Sequence, residues 1–522
     1  MTNFSWKPLD KNFLNDAVEK ALSASSHAIS ASANGMAAFS KYAVDFYIPY
    51  LISTVYFQHV ENAKTLKASP LETVESYLGL LSFNMDLFRR ATGSASDWIH
   101  RYLAIEMENA FKAALKMLSD VSNEDWIAFL KRQNELTQTL ALNYPRAIEE
   151  VEKEFGFHFE REDVKKITET SRFYLYQVLP SKKGISPKKD SKPVLILPPF
   201  VLGANILAFL PGEERSYVHS FANLGIPTYI RILKDIQITE PLQVMTGEDD
   251  AKDTRYFCEV IKSNHGKAVT LNGYCQGGFS AVCDILSGEL DGLVDALISC
   301  VAPMDGTRSK GLAEFLKNLP SRFNDLAYGV KTLKNGNRVA DGKLMGWVYK
   351  LKSIESESPV AAFYRDLLMF ATQKTESIQI SKSAAAINYW LSHERYDLPL
   401  EITKMSFASY NTPITQDGTL PVKLFGKKLN FKRLAEKNIP WLICYGENDD
   451  LVEKETALAP LDYISAEVTP FPKGHVAIAT SWSHPESACA LHTRFGEKNS
   501  RGPVKYQLDL DQLGLKKRSR RG

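Results

Sequence analysis

Residues 267–286 read KAVTLNGYCQGGFSAVCDIL. The apolar run 268–271 stops at Gly273-Tyr274-Cys275-Gln276-Gly277, and a segment compatible with a helix follows. Strand, tight turn and helix, with a nucleophilic side chain at the turn, is the layout of a nucleophile elbow. Gly273 and Gly277 flank Cys275 two residues away on either side, removing Cβ atoms that would crowd such a turn. Cysteine stands where serine is usual. A helix beginning just after it puts the positive end of its dipole under the sulfur, favouring thiolate over a free-cysteine pKa of about 8.5. The backbone amide of Gln276 is then one donor to an oxyanion. With 29 Gly and 6 Cys in 522 residues, composition alone predicts roughly 0.02 chance occurrences of GxCxG. The competing reading is a buried structural cysteine beside a glycine-rich turn, since unpaired Cys is among the most buried residue types.

The length suffices for a large catalytic domain and one more domain. Hydrophobic residues make up 44% of the chain, charged residues 24%, and the net charge is +2. This balance gives no charge excess that would point to nucleic acid. Six cysteines without any CxxC spacing make neither a disulfide framework nor a metal site, so no cofactor is expected. No basic segment followed by an apolar core opens the chain, so a secretory leader is not expected and the cytoplasm is the expected compartment. The run 46–57, interrupted by Pro49, is too short to span a bilayer but suits an apolar surface. The basic stretch 516–521 reads as a solvated tail.

Residues 1–160 read as helical, with segments at 21–40, 42–67, 70–92, 96–118 and 123–157. Tyr102, Ile105, Met107, Ala110, Phe111 and Leu115 recur at helical spacing, and Ser122 and Asp125 lie near a helix start. From about 168 strands and helices alternate. Strands are expected at 172–177, 193–197, 228–233, 268–271 and 296–302, with helices at 217–224 and 251–263 between them. That alternation is the sequence form of a parallel sheet covered on both faces. The strand 193–197 runs into Pro198-Pro199-Phe200-Val201. In such a sheet the loop after this strand supplies the second oxyanion amide. Phe200, Val201 and Leu202 are candidates, Val201 foremost, because proline has no N–H. The rhythm stops between Asp305 and about 411, a helical, aromatic-rich insertion placed where a cap would cover Cys275. Strands return at 440–445 and 466–470, followed by Asn448-Asp449-Asp450-Leu451-Val452 and Pro472-Lys473-Gly474-His475.

Nucleophile, acid and histidine therefore occur in the order Cys275, Asp449, His475, each just past a strand end. In this scheme His475 takes the thiol proton and Asp449 fixes its tautomer. Asp450 is the rival acid; Asp449 is preferred because Leu451 and Val452 then follow at +2 and +3. His484 and His492 lie past the loop and fit less well.

These residues resemble the polyhydroxyalkanoate synthases, α/β-hydrolase-fold enzymes with a catalytic cysteine, over residues 168–490. Asn272-Gly273-Tyr274-Cys275-Gln276-Gly277-Gly278 is similar to the family's GYCxGG box, residues 194–201 (VLILPPFV) to its PP loop, and Gly474-His475-Val476-Ala477 to its GHIAG segment. Asp449 to Val452 resembles its D-H-[IV]-V segment with Asp450 in place of the His, and Ile478 stands for the last Gly of GHIAG. Residues 389–411 look like a worn copy of its WNxD region, with Glu394 or Asp397 near the acid's place. The resemblance implies an α/β-hydrolase-like, mostly parallel sheet at 168–304 and 412–500. A helical cap at 305–411, an all-helical N-terminal domain at 1–160 and a tail at 501–522 complete the expected plan. It implies an acyltransferase that polymerises (R)-3-hydroxyacyl-CoA through an acyl-Cys275 intermediate. The polyester chain, a granule surface and a second copy of the chain would be its partners. A CoA thioesterase or depolymerase-like hydrolase on the same residues is the second reading. A non-catalytic granule- or partner-binding protein on a degenerate hydrolase fold is the third.

Overall fold

Parallel strands buried on both faces read as continuous apolar runs, and the chain from 194 onward carries several. The computed structural model describes residues 11–65, 68–119, 124–159, 164–311, 329–354, 358–373 and 377–519. They fall into two compact units, one drawn from 1–61, 80–150 and 347–385, the other from 62–79, 151–346 and 386–522.

In the first unit are most of the long helices α1 (Lys11–Thr65) and α2 (Pro70–Ser119) and all of α3 (Glu124–Gln138). Its core gathers Ala38, Tyr102, Leu136, Leu140 and Tyr144 with Phe363, Leu367 and Phe370. The Tyr42 hydroxyl donates to Asp366 Oδ2 at 2.5 Å, and Tyr144 meets Phe370 edge-on at 5.2 Å. So residues 347–385, part of the segment expected as a cap, group with the N-terminal helices. The expected breaks at 41 and 93–95 are absent. Gly93 faces open space, and an exposed helical glycine costs only about 1 kcal/mol against alanine. Side chains of most of the run 46–57 and Ser122 lie outside the described residues.

The second unit is built on one eight-stranded sheet. Its strands are β1 (Val164–Glu169), β2 (Phe173–Val178), β3 (Val194–Leu197), β4 (Thr228–Leu233), β5 (Val269–Tyr274), β6 (Val294–Cys300), β7 (Trp441–Gly446) and β8 (Glu467–Phe471). Their order is β1-β2-β4-β3-β5-β6-β7-β8. β2 runs antiparallel to both β1 and β4, and β4 through β8 with β3 are parallel. This order, with a sharp turn after β5, is the α/β-hydrolase fold. Register pairs Leu197 with Gly273, Tyr274 with Cys300 and Gly446 with Phe471. The loops carrying Val201, Cys275, Asp449 and His475 therefore leave the same edge of the sheet.

The structure departs from expectation in three further places. β1 (VKKITE) was not foreseen; its polar residues hide the pairing with β2. The insertion is not wholly helical, since Val330–Thr332, Arg338–Ala340 and Leu398–Pro399 form a small antiparallel sheet. Strands of two or three residues leave no alternating pattern to read. Residues 503–519, expected as tail, form a helix in which Val504, Tyr506 and Gln507 are buried. The basic side chains at 516–521 lie outside the described ones. Among the described residues no helix is long and apolar enough to cross a membrane.

A buried polar knot fixes the helix behind the elbow. Arg231 on β4 pairs with Asp250 at 2.7 Å, the two side chains 1% and 0% exposed, and lies 4.7 Å from the Phe173 ring centre. Asp250 and Thr254 belong to α4 (Gly247–His265); they bind Ser280 and Asp284 of α5 (Gln276–Ser287) at 2.5 and 2.9 Å. Removing one partner strands the other charge away from water. Arg231→Ala is expected to cost roughly 3–5 kcal/mol, read as a lowered urea midpoint with an unchanged slope.

Candidate active site

β5 ends at Tyr274 and α5 begins at Gln276, so Cys275 alone makes the turn. Its backbone sits at φ 51°, ψ −123°. A non-glycine residue held there stores about 1–3 kcal/mol of strain, which the surroundings must outweigh. The Cys275 N–H donates to Cys300 O at 2.8 Å, and its carbonyl accepts from the Gly278 N–H at 2.8 Å. A Cβ on Gly273 would lie 2.4 Å from Gly277 O, and one on Gly277 2.2 Å from Leu197 O. Strand and helix cross too closely there for any side chain. Cys275 is 3% exposed and stands at the N-terminal end of the twelve-residue helix α5.

Asp449 Oδ1 accepts the N–H groups of Leu451 and Val452, both at 2.9 Å. Its Oδ2 lies 2.8 Å from His475 Nδ1. The carboxylate is thus aimed by two backbone donors and buried, whereas Asp450 is exposed. The Tyr274 hydroxyl donates to His475 O at 2.8 Å, tying the histidine loop to the end of β5. The other imidazole nitrogen, Nε2, has no hydrogen-bond partner among the described residues. Cys275 is close enough for its charge to act on the ring. The thiol and imidazole are therefore near neighbours, and such pairs commonly tighten when a substrate binds.

Burial works against the imidazolium, but Asp449 and then Cys275 outweigh it and hold His475 well above its ordinary 6.5. A raised folded-state pKa contributes stability that is complete below the unfolded value and disappears as pH rises through the folded one. Wild-type protein is expected to lose this increment of stability on passing upward from pH 6.5. Asp449→Asn should show little of that slope, as checked by denaturation midpoints across a pH series.

The Gln276 N–H belongs to the first turn of α5, where backbone donors lack helical partners. The Val201 N–H instead donates to the Gln276 side-chain Oε1 at 3.1 Å. Gln276 Nε2 in turn donates to Ser406 Oγ at 3.0 Å on α6 (Leu400–Asn411). The proline loop is held by its neighbours: Leu202 O accepts from Trp390 Nε1 at 3.2 Å and Val201 O from Tyr396 N at 3.3 Å. Glu394 binds Asn205 and Tyr396, while Asp397 binds Lys331 and Gln237. Both acids of the WNxD-like region are thus engaged away from His475. Ser406 carries no local sequence signal, and its place beside Gln276 emerges only from the fold. A cavity of 610 Å³ shares Pro198, Pro199 and Phe200 with this loop; Phe173, Lys343 and Arg395 are among its other walls.

An α/β-hydrolase sheet with cysteine at the elbow and a His475–Asp449 pair beside it defines the class of this protein. No family model and no curated protein matches the chain. Similar solved structures include a soluble variant of monoglyceride lipase from Saccharomyces cerevisiae, at 10% identity and TM-score 0.37, covering 69% of this chain and 97% of that one. Naproxen esterase from Bacillus subtilis matches at 12% identity and TM-score 0.35, over 65% and 93%. The 2-hydroxy-6-oxo-6-phenylhexa-2,4-dienoate hydrolase of a Rhodococcus species matches at 13% and 0.31, over 61% and 95%. The fold assignment rests on strand order and the elbow, not on these likenesses.

Proposed function

We propose that this chain is an acyltransferase that opens a thioester on Cys275, in the manner of the polyhydroxyalkanoate synthases it resembles, with (R)-3-hydroxyacyl-CoA as donor. The observation that carries this reading is the strained Cys275 turn facing a histidine whose Nδ1 is held by a buried carboxylate. His475 Nε2 takes the thiol proton, and the sulfur attacks the thioester carbonyl. Amides of the Gln276 turn and the proline loop steady the oxyanion. The carbon–sulfur bond to CoA breaks, CoA leaves with the proton from His475, and the acyl group stays on Cys275. A substrate or chain hydroxyl, deprotonated by His475, then attacks the acyl-enzyme and frees the thiol. Thiol and thioester exchange is nearly balanced in energy, which suits cysteine over serine. The cavity beside the proline loop, with apolar walls and Lys234, Lys343 and Arg395 as well as Asp235 and Asp397 in its lining, is where we place the acyl-CoA.

The test is CoA release from 3-hydroxybutyryl-CoA and from a longer 3-hydroxyacyl-CoA, with the acyl product identified. Polymer or oligomer is expected; free hydroxy acid would assign a thioesterase instead. Cys275→Ala should form no acyl-enzyme, and His475→Ala should slow acylation about 10²- to 10⁴-fold. A Cys275→Ala protein that still turned over would remove the site assignment.

A further inference from the structure

We infer that the Gln276 side chain is a built-in occupant of the oxyanion position, held in place by Ser406 and displaced only as the substrate carbonyl becomes an oxyanion. The inference rests on the acyl-transfer reading above. The Val201 N–H, the donor that reading assigns to the oxyanion together with the Gln276 amide, is taken by Gln276 Oε1 at 3.1 Å. One N–H proton cannot serve two acceptors at full strength. The occupant is itself a carbonyl oxygen, so it imitates the substrate group that should lie there. Its far end is anchored: Nε2 donates to Ser406 Oγ at 3.0 Å. Helix α6, which carries Ser406, is fastened in turn. Asp305 accepts from the Ile414 N–H at 3.3 Å, and a Cβ on Gly306 would lie 2.7 Å from the Tyr410 backbone. An oxyanion accepts more strongly than a neutral amide and wins the contest, whereas a neutral thioester carbonyl does not. Gln276 therefore acts as a positioning residue through its side chain, independently of its own backbone N–H. It holds back weak carbonyl ligands and yields when charge develops.

Two reactions of Cys275 in the full-length protein separate this role from general reactivity. Alkylation by iodoacetamide forms a carbon–sulfur bond and expels iodide without any oxyanion. Acylation by p-nitrophenyl butyrate forms the thioester through an oxyanion, breaks the ester C–O bond and releases nitrophenolate, the thiol proton passing to His475. Gln276→Ala should accelerate acylation about three- to tenfold, the worth of one net hydrogen bond, while alkylation stays within about twofold. Acylation that is unchanged or slower, with alkylation unchanged, overturns the inference and makes Gln276 a prop for the proline loop. If alkylation also shifts, the elbow itself has moved and Ser406→Ala decides. That variant loosens the anchor without touching the turn, so a similar rise in acylation supports the inference and none overturns it. A wild type that acylates with no gain in either variant sinks this inference alone. No acylation in any of the three proteins sinks the acyl-transfer reading and takes the inference with it.

Discussion

At Cys275 the chain turns from strand to helix on a single residue, in a conformation that side-chain-bearing residues avoid. The turn persists because Gly273 and Gly277 let β5, α5 and the end of β3 approach to within backbone contact. Larger residues would push the helix off the sheet and relax the strain together with the sulfur's position. The polar knot of Arg231, Asp250, Thr254, Ser280 and Asp284 holds the same helix from behind. Strain at one residue is thus opposed by close packing in front and a fully buried ionic network at the rear. An elbow held from both sides presents its nucleophile without having to reorganise during reaction.

The electrostatics of the site follow from which groups leave water together. An imidazolium alone at this depth would be driven neutral. Asp449 reverses that outcome, its carboxylate fixed beside the ring by hydrogen bonds from Leu451 and Val452. Asp450, one residue on, is exposed. Two adjacent aspartates thus differ in role because the turn buries one and exposes the other. The same contrast explains why the spacing to Leu451 and Val452 was informative: their amides are the groups that orient the acid.

Much of the sheet was legible because its strands are short apolar runs with glycine or proline at their ends. The elbow was legible because few structures demand glycine on both sides of a cysteine. Order along the chain then pointed to Asp449 and His475, which the fold brings together at 2.8 Å. What stayed hidden depends on contacts between distant residues. Ser406 lies 130 residues from Gln276, and no periodicity links them. The strand β1 carries lysines and a glutamate on its open face, so only pairing reveals it. Gly93 falls in the expected gap between 92 and 96, yet it sits inside a fifty-residue helix. The last helix was masked by its basic end, while the residues that dock it, Val504, Tyr506 and Gln507, are few and close to its start.

That last helix has a consequence for how the protein is made. The Lys192 N–H, just before β3, donates to Asp511, and Lys192 O accepts from Gln507. Lys267, just before β5, pairs with the same Asp511. The two central strands thus wait on partners encoded roughly 240–320 residues later. At a synthesis rate of about 5–20 residues per second, that is on the order of 10–60 s during which their starts stand open on the ribosome. The strand neighbours of β3 and β5 are all encoded before residue 301, so the centre of the sheet can pair first, and the last helix then locks the starts of both strands from outside.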